Sequence, residues 1–99
     1  MENRTIEAYL MKEFSLDWKR ARSEAKRFSP HKDLRKELVY YIENGKFKEP
    51  SINAEGYTAK ALLESGLTKT PYASYRMMIY LRERPTDTLK ALEGGLKVK

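Results

Sequence analysis

The sequence predicts an all-α protein, a single compact domain of five to six short helices that covers residues 1–99. Three observations lead to this fold class. Apolar residues recur at the spacing of a helix face, Ser or Thr stands at the expected helix starts, and Gly or Pro follows the expected helix ends. Alternating, strand-like runs are almost absent. These local signals agree along nearly the whole chain, and 99 residues suit one domain.

The first part of the chain is predicted to form two helices. Helix 1 covers about residues 4–14. Its apolar residues are Ile6, Tyr9, Leu10 and Phe14. Helix 2 begins at Ser15, a favourable N-cap, and Asp17 lies in its first turn. Its apolar stripe is formed by Trp18, Ala21, Ala25 and Phe28. Because Trp18 heads this stripe, we expect it to anchor the core between helix 2 and its neighbours.

Helix 3 is predicted to start at Ser29, with Pro30 at its first position, and to end at Gly45 in a left-handed C-cap. Its apolar face is formed by Leu34, Leu38, Tyr41 and Ile42. Residues 46–56 follow without helical periodicity and contain both Pro and Gly. This stretch is therefore predicted to be the longest loop and the most mobile segment.

Three further helices are predicted after this loop. Helix 4 is short, is capped by Thr58 and stops at Gly66, which should adopt a left-handed conformation. Helix 5 is capped by Thr70 and runs to about residue 83; apolar residues cover so much of its girth that we expect it to be central. Helix 6 starts at Thr86 and closes at Gly94-Gly95. Residues 1–3 and 96–99 are predicted to fray.

The distribution of charge is the most informative functional feature. The chain has 20 Lys and Arg against 14 Asp and Glu, a formal net charge of +6. Eight cations fall between residues 19 and 36, with only Glu24 and Asp33 to oppose them. These candidate nucleic-acid-binding residues are Lys19, Arg20, Arg22, Lys26, Arg27, Lys32, Arg35 and Lys36. On a helical projection Lys19, Arg22 and Lys26 share one side of helix 2, opposite its apolar stripe.

A basic face of this kind suits the phosphate backbone of a nucleic acid, because each neutralised phosphate releases condensed counterions. The same cations would also suit an acidic protein or an anionic membrane surface, or would simply keep an amphipathic helix soluble. The sequence therefore favours a nucleic-acid-associated protein. The alternative is a protein–protein interaction module or a small homo-oligomeric structural protein without a nucleic-acid role.

Residues 58–75 resemble a helix-turn-helix unit, with a short helix, a turn at Gly66 and a second capped helix. Tyr72 would take the buried position after the turn, where Val or Ile is usual. Residues offered to a DNA groove would be Thr68, Lys69, Thr70, Ala73, Ser74 and Met77. This set lacks the Arg, Asn or Gln that makes bidentate base contacts. A plain corner between two helices, with Gly66 as a C-cap, explains the same pattern.

Two runs of sequence also resemble a family of small bacterial proteins without assigned activity. The runs are Glu-Gly-Tyr-Thr-Ala-Lys-Ala-Leu from residue 55 and Tyr-Ala-Ser-Tyr-Arg-Met-Met-Ile-Tyr-Leu-Arg-Glu-Arg-Pro from residue 72, so that the resemblance covers residues 55–85. It implies a compact helical fold in a bacterial cytoplasm. It assigns no functional residues.

Residue types argue against several other functions. With one histidine, His31, and no cysteine, the sequence offers neither a thiolate metal site nor a His-assisted nucleophile. It contains no phosphate-binding glycine loop, and carboxylates such as Asp33 stand beside cations. We therefore expect no enzyme activity, metal or cofactor. The apolar runs are too short to span a membrane, and a cytoplasmic protein is expected. The oligomeric state cannot be read from the sequence.

Overall fold

The computed structural model describes residues 2–98 and contains six α-helices and no strand within that range. The helices are α1 (Glu2–Phe14), α2 (Trp18–Lys26), α3 (Lys32–Asn44), α4 (Ala59–Glu64), α5 (Pro71–Glu83) and α6 (Pro85–Val98). The all-α prediction is confirmed. Residues 2–3 and 96–98, predicted to fray, belong to α1 and α6, whereas Met1 and Lys99 lie outside the described residues.

The helices fall into two compact units, Met1–Lys48 and Glu49–Lys99. The first unit is formed by α1, α2 and α3, with α1 packed against both of the others. Its buried apolar residues are Ile6, Leu10, Ala21, Ala25, Phe28, Leu34, Leu38 and Val39. Most of them are the residues that helical spacing places on the predicted apolar faces. The buried set also includes one carboxylate, Glu37, which the periodicity did not single out.

The starts of α2 and α3 differ from the prediction. Ser15 does not cap α2; it adopts a positive φ of 55°, and the cap is Asp17, whose Oδ1 accepts a hydrogen bond from the backbone N–H of Arg20 at 2.8 Å. Asp and Ser are similarly good caps, so that sequence alone did not separate the two positions. The predicted start of α3 at Ser29 is also wrong, because residues 27–30 form turns and the helix begins after His31.

The second unit is formed by α4, α5 and α6, and α5 packs against both of its neighbours. Thr58 and Thr70 cap α4 and α5 as predicted, each accepting a bond from the backbone N–H three residues later. Pro71 takes the first turn of α5. Buried apolar residues of this unit are Ala59, Leu62, Tyr75, Met78, Ile79, Leu81 and Leu92. Five of the buried residues of the chain lie on α5, which fits its predicted central role.

The segment before α4 has no helix, as predicted, but it contains a tight turn. The backbones of Ala54 and Tyr57 exchange two hydrogen bonds of 2.9 Å, and Glu55 and Gly56 between them have φ of 54° and 85°. Asn53 stabilises the turn by accepting a bond from the backbone N–H of Gly56. The segment is therefore a structured connection over at least these residues.

Helix α6 is longer than predicted at both ends. It begins at Pro85, because Pro fits the first helical turn, rather than after a Thr86 cap. It also continues through Gly94 and Gly95, where the sequence predicted a stop. Glycine weakens a helix by only about 1 kcal/mol relative to Ala, and neighbouring residues can offset that cost.

Candidate nucleic-acid interface

Trp18 is not the core anchor that the sequence predicted. The residue is 51% exposed, although Ala21, Ala25 and Phe28 of the same stripe are fully buried. The reason is its place at the first position of α2. Helical side chains lean toward the N-terminus and cover the preceding turn, and Trp18 has no preceding turn to cover. The indole therefore lies beyond the core, beside α1.

The exposed indole lines a groove within the first unit, which we call the indole groove. Its volume is about 530 Å³. Its lining residues are Asn3, Arg4, Glu7, Ala8 and Met11 from α1 and Trp18, Arg22 and Lys26 from α2. Met11, like Trp18, is an exposed large apolar residue, 40% accessible. Exposed apolar surface between charged walls is a common property of ligand-binding grooves.

The charges of the indole groove are mostly positive. Arg4, Arg22 and Lys26 face a single carboxylate, that of Glu7. The Cζ atom of Arg22 lies over the indole ring, 5.1 Å from its centroid, in a cation–π contact. This contact holds a guanidinium and an aromatic ring together at one place on the surface. An anionic ligand with an aromatic group would match both.

One residue of the groove, Asn3, has a buried polar atom without a partner. The side-chain oxygen Oδ1 of Asn3 is buried and accepts no hydrogen bond. Leaving a buried acceptor unsatisfied costs roughly 1–3 kcal/mol. The oxygen is sealed from solvent, so a ligand in the groove does not contact it in this structure.

The eight predicted phosphate-binding cations differ in their surroundings. Seven are exposed: Lys19, Arg20, Arg22, Lys26, Arg27, Lys32 and Lys36. Arg27 pairs with Glu24 at 3.5 Å on the flank of α2. Arg35 is different, because only 19% of its side chain is accessible and its Nε donates to Oε1 of Glu2 at 2.9 Å. This ion pair joins α3 to the start of α1, which makes Arg35 less suited to a phosphate.

The contribution of α1 to this surface was missed by the sequence analysis. Asn3, Glu7 and Met11 follow one another at intervals of four residues, and Arg4 lies beside them on the helical projection. On this projection Asn3 lies next to buried Leu10, and Glu7, Met11 and Arg4 follow it around the helix. A second helical face of mixed polar and apolar residues was the available signal, but which helix it would meet depends on tertiary packing.

The helix-turn-helix interpretation is matched only in part. Gly66 has the predicted left-handed conformation, with φ of 80°. Two residues predicted to face a DNA groove are buried instead: the hydroxyls of Thr68 and Ser74 hydrogen-bond to each other, and neither can reach a base edge. Tyr72, expected at the buried position, is half-buried, while Tyr75 is fully buried. The two hydroxyls therefore act in packing the turn.

A second surface of α5 carries aromatic residues. The guanidinium of Arg76 lies over the rings of both Tyr72 and Tyr80, at 5.9 and 5.3 Å. A groove of about 480 Å³ runs beside these residues, lined also by Leu67 and Met77.

On the first unit, burial together with the nearby Glu13 raises the pKa of Tyr9 above its usual 10.0. Neither the aromatic surface of α5 nor the surroundings of Tyr9 bring together an acid, a base and a nucleophile.

Comparisons with protein-family models, with curated proteins and with solved structures found no match to this chain. Within residues 2–98, no three His, Asp or Glu side chains are grouped so that they could hold a metal ion. In the same range, every helix is too short or too polar to cross a membrane. The candidate interface therefore rests on its own geometry.

Proposed function

We propose that this protein binds nucleic acid through phosphate contacts made by exposed cations of α2 and the start of α3. The observation that supports this most is the basic face of α2, formed by Lys19, Arg22 and Lys26. All three side chains are exposed, whereas Ala21 and Ala25 of the same helix are fully buried. The cations can therefore meet a polyanion without disturbing the core.

The proposed contacts are to phosphates, which are the same in every sequence. Binding should therefore show little sequence preference and should weaken steeply as salt concentration rises. Arg20, Arg27, Lys32 and Lys36 extend the positive surface, and Arg35 is left out of it because Glu2 already pairs with its guanidinium. The α4–α5 unit contributes little, because Thr68 and Ser74 are buried.

The test is a salt-resolved titration of the whole protein with labelled duplex DNA, with Lys19, Arg22 and Lys26 changed together to Gln. The variant should keep its helical content and lose affinity. The slope of log K against log salt should flatten by about 0.9 for each phosphate that the variant no longer neutralises. A matched control changes three other exposed cations, Lys46, Arg84 and Lys90, to Gln. Both variants remove three charges, so that only the position of the charges differs.

Equal reductions of affinity in the two variants would mean that net charge, and not the basic face, governs binding. A larger reduction from Lys69→Gln with altered sequence preference would favour the helix-turn-helix interpretation. Absence of binding at low salt would overturn the proposal. The second candidate, a protein-interaction module, would then come first, favoured by the exposed aromatic groove beside Tyr72 and Tyr80.

A further inference from the structure

We infer that the indole groove is a base-stacking subsite, so that the protein prefers single-stranded nucleic acid to duplex. The inference rests on the proposed function and specifies its ligand. It starts from Trp18, a large aromatic residue that the fold leaves half exposed beside three cations. Unpaired nucleotides combine an aromatic face with a phosphate, which is the chemistry that this combination fits.

The apolar part of the groove suits a base. The indole of Trp18 is half exposed although the guanidinium of Arg22 lies over its ring, so that it still offers a flat aromatic surface, and Met11 adds exposed apolar surface from α1. At about 530 Å³ the groove has room for a base and its sugar. Stacking on an aromatic side chain is tolerant of sequence, because every base has a π face. Stacking at this subsite would therefore add little sequence preference, as is also expected of the phosphate contacts.

The polar part of the groove suits the remainder of a nucleotide. Arg4, Arg22 and Lys26 line the groove together with the indole, and Arg22 and Lys26 also belong to the basic face of α2. The carboxylates of an acidic peptide would satisfy the cations, but a carboxylate has no aromatic face to stack on the indole.

Duplex DNA cannot use this subsite fully. Its bases are paired and stacked on one another, so that no base face is available to the indole without unstacking. A single strand can turn a base outward and stack it on an aromatic side chain while its phosphates meet cations. Duplex binding would consequently use only the basic face, and single-strand binding would use the basic face and Trp18 together.

The sequence provides its own reporter, because Trp18 is its one tryptophan. The experiment titrates the whole protein with a single-stranded oligonucleotide, with a duplex carrying the same number of phosphates, and with a nucleoside monophosphate. We expect the single strand to quench the Trp18 fluorescence and the duplex to bind with little quenching. Anisotropy of labelled strands gives the two affinities independently of the tryptophan.

Variants separate stacking from charge. Trp18→Ala should lower the affinity for the single strand by about 5- to 160-fold, which is the range for one stacked base, and should leave duplex affinity within about twofold. Trp18→Phe, which keeps a smaller ring, should fall between the Ala variant and the parent. The matched control is Tyr80→Ala, which removes another exposed aromatic residue, 36% accessible, from α5. It should change neither affinity.

Each outcome bears on a different claim. If the single strand and the duplex bind equally tightly and salt-dependently, and the Trp18 fluorescence does not change, the stacking subsite is overturned. The proposed function is left standing by that result. A nucleoside monophosphate that binds as tightly as the oligonucleotide would also overturn the preference for a strand and would indicate a free nucleotide as ligand. Binding of an acidic peptide with no nucleic acid bound at low salt would overturn both proposals.

Discussion

The contribution of a single residue to stability depends on where the residue lies relative to its helix. Trp18 begins α2 and is half exposed, whereas Phe28 follows the end of the same helix and is fully buried. We expect Trp18→Ala to lower the free energy of unfolding by less than about 1 kcal/mol, and Phe28→Ala to lower it by about 3–5 kcal/mol. Urea denaturation followed by far-ultraviolet circular dichroism measures both.

The comparison of these two variants has a functional consequence. If Trp18→Ala proved as costly as Phe28→Ala, the indole would be a core group and the indole groove would lose its stacking surface. If it folds normally, as we expect, the variant can be used in binding experiments without a correction for unfolded protein. The substitution of Trp18 should therefore change the binding affinity and leave the free energy of unfolding almost unchanged, which is typical of an interface residue rather than a core residue.

At the scale of the helix, two glycines are expected to respond in opposite ways to the same substitution. Gly66 follows α4 with φ of 80°, a region that side chains with a Cβ disfavour, so that Gly66→Ala should destabilise the protein by about 1 kcal/mol. Gly94 lies inside α6, and a Cβ added there would meet no atom within 4 Å apart from its own stretch of the helix. Gly94→Ala should therefore stabilise by about 0.5–1 kcal/mol.

The midpoint of thermal unfolding, measured for both variants in one buffer, tests this pair. A stabilising Gly66→Ala would contradict the left-handed turn between α4 and α5. A destabilising Gly94→Ala would mean that α6 does not continue through this position, and the stop that the sequence suggests at Gly94-Gly95 would be correct after all.

Helix signals in the sequence were reliable where a single strong signal was present. Thr70 before Pro71, and Gly45 and Gly66 after apolar runs, were each predicted and are each found, because no nearby residue competes for the same role. The signals failed where alternatives lay two residues apart. Ser15 and Asp17 are both good caps, and the difference between them, at most about 1 kcal/mol, is decided by how the chain turns after α1.

At the scale of the whole molecule, the candidate site could be predicted only in part. The concentration of cations between residues 19 and 36 is a property of the sequence, and a helical projection was enough to place Lys19, Arg22 and Lys26 together. The indole groove could not be predicted, because it exists only where α1 packs against α2. Asn3 and Met11 are part of a candidate site through that packing. The pairing of Arg35 with Glu2 likewise depends on tertiary structure, because it joins α3 to α1.

Chain length leads to a last prediction, on how the protein unfolds. Its two units contain 48 and 51 residues and neither has a disulfide, since the sequence lacks cysteine. Units of this size bury a small fraction of their surface and are marginally stable alone. The single domain that the sequence predicts would avoid this weakness by unfolding cooperatively. We therefore expect one transition in denaturant, with Trp18 fluorescence and circular dichroism giving the same midpoint.

The decisive variant for this prediction is Tyr75→Ala. Tyr75 is fully buried on α5, in the unit that lacks the tryptophan. If the chain is one cooperative domain, removing this ring lowers the midpoint reported by Trp18 fluorescence as far as the midpoint reported by circular dichroism. If the units unfold independently, the fluorescence midpoint stays at its parent value and the circular dichroism curve separates into two steps. That second result would make residues 1–48, with the indole groove and the basic face, a domain on its own.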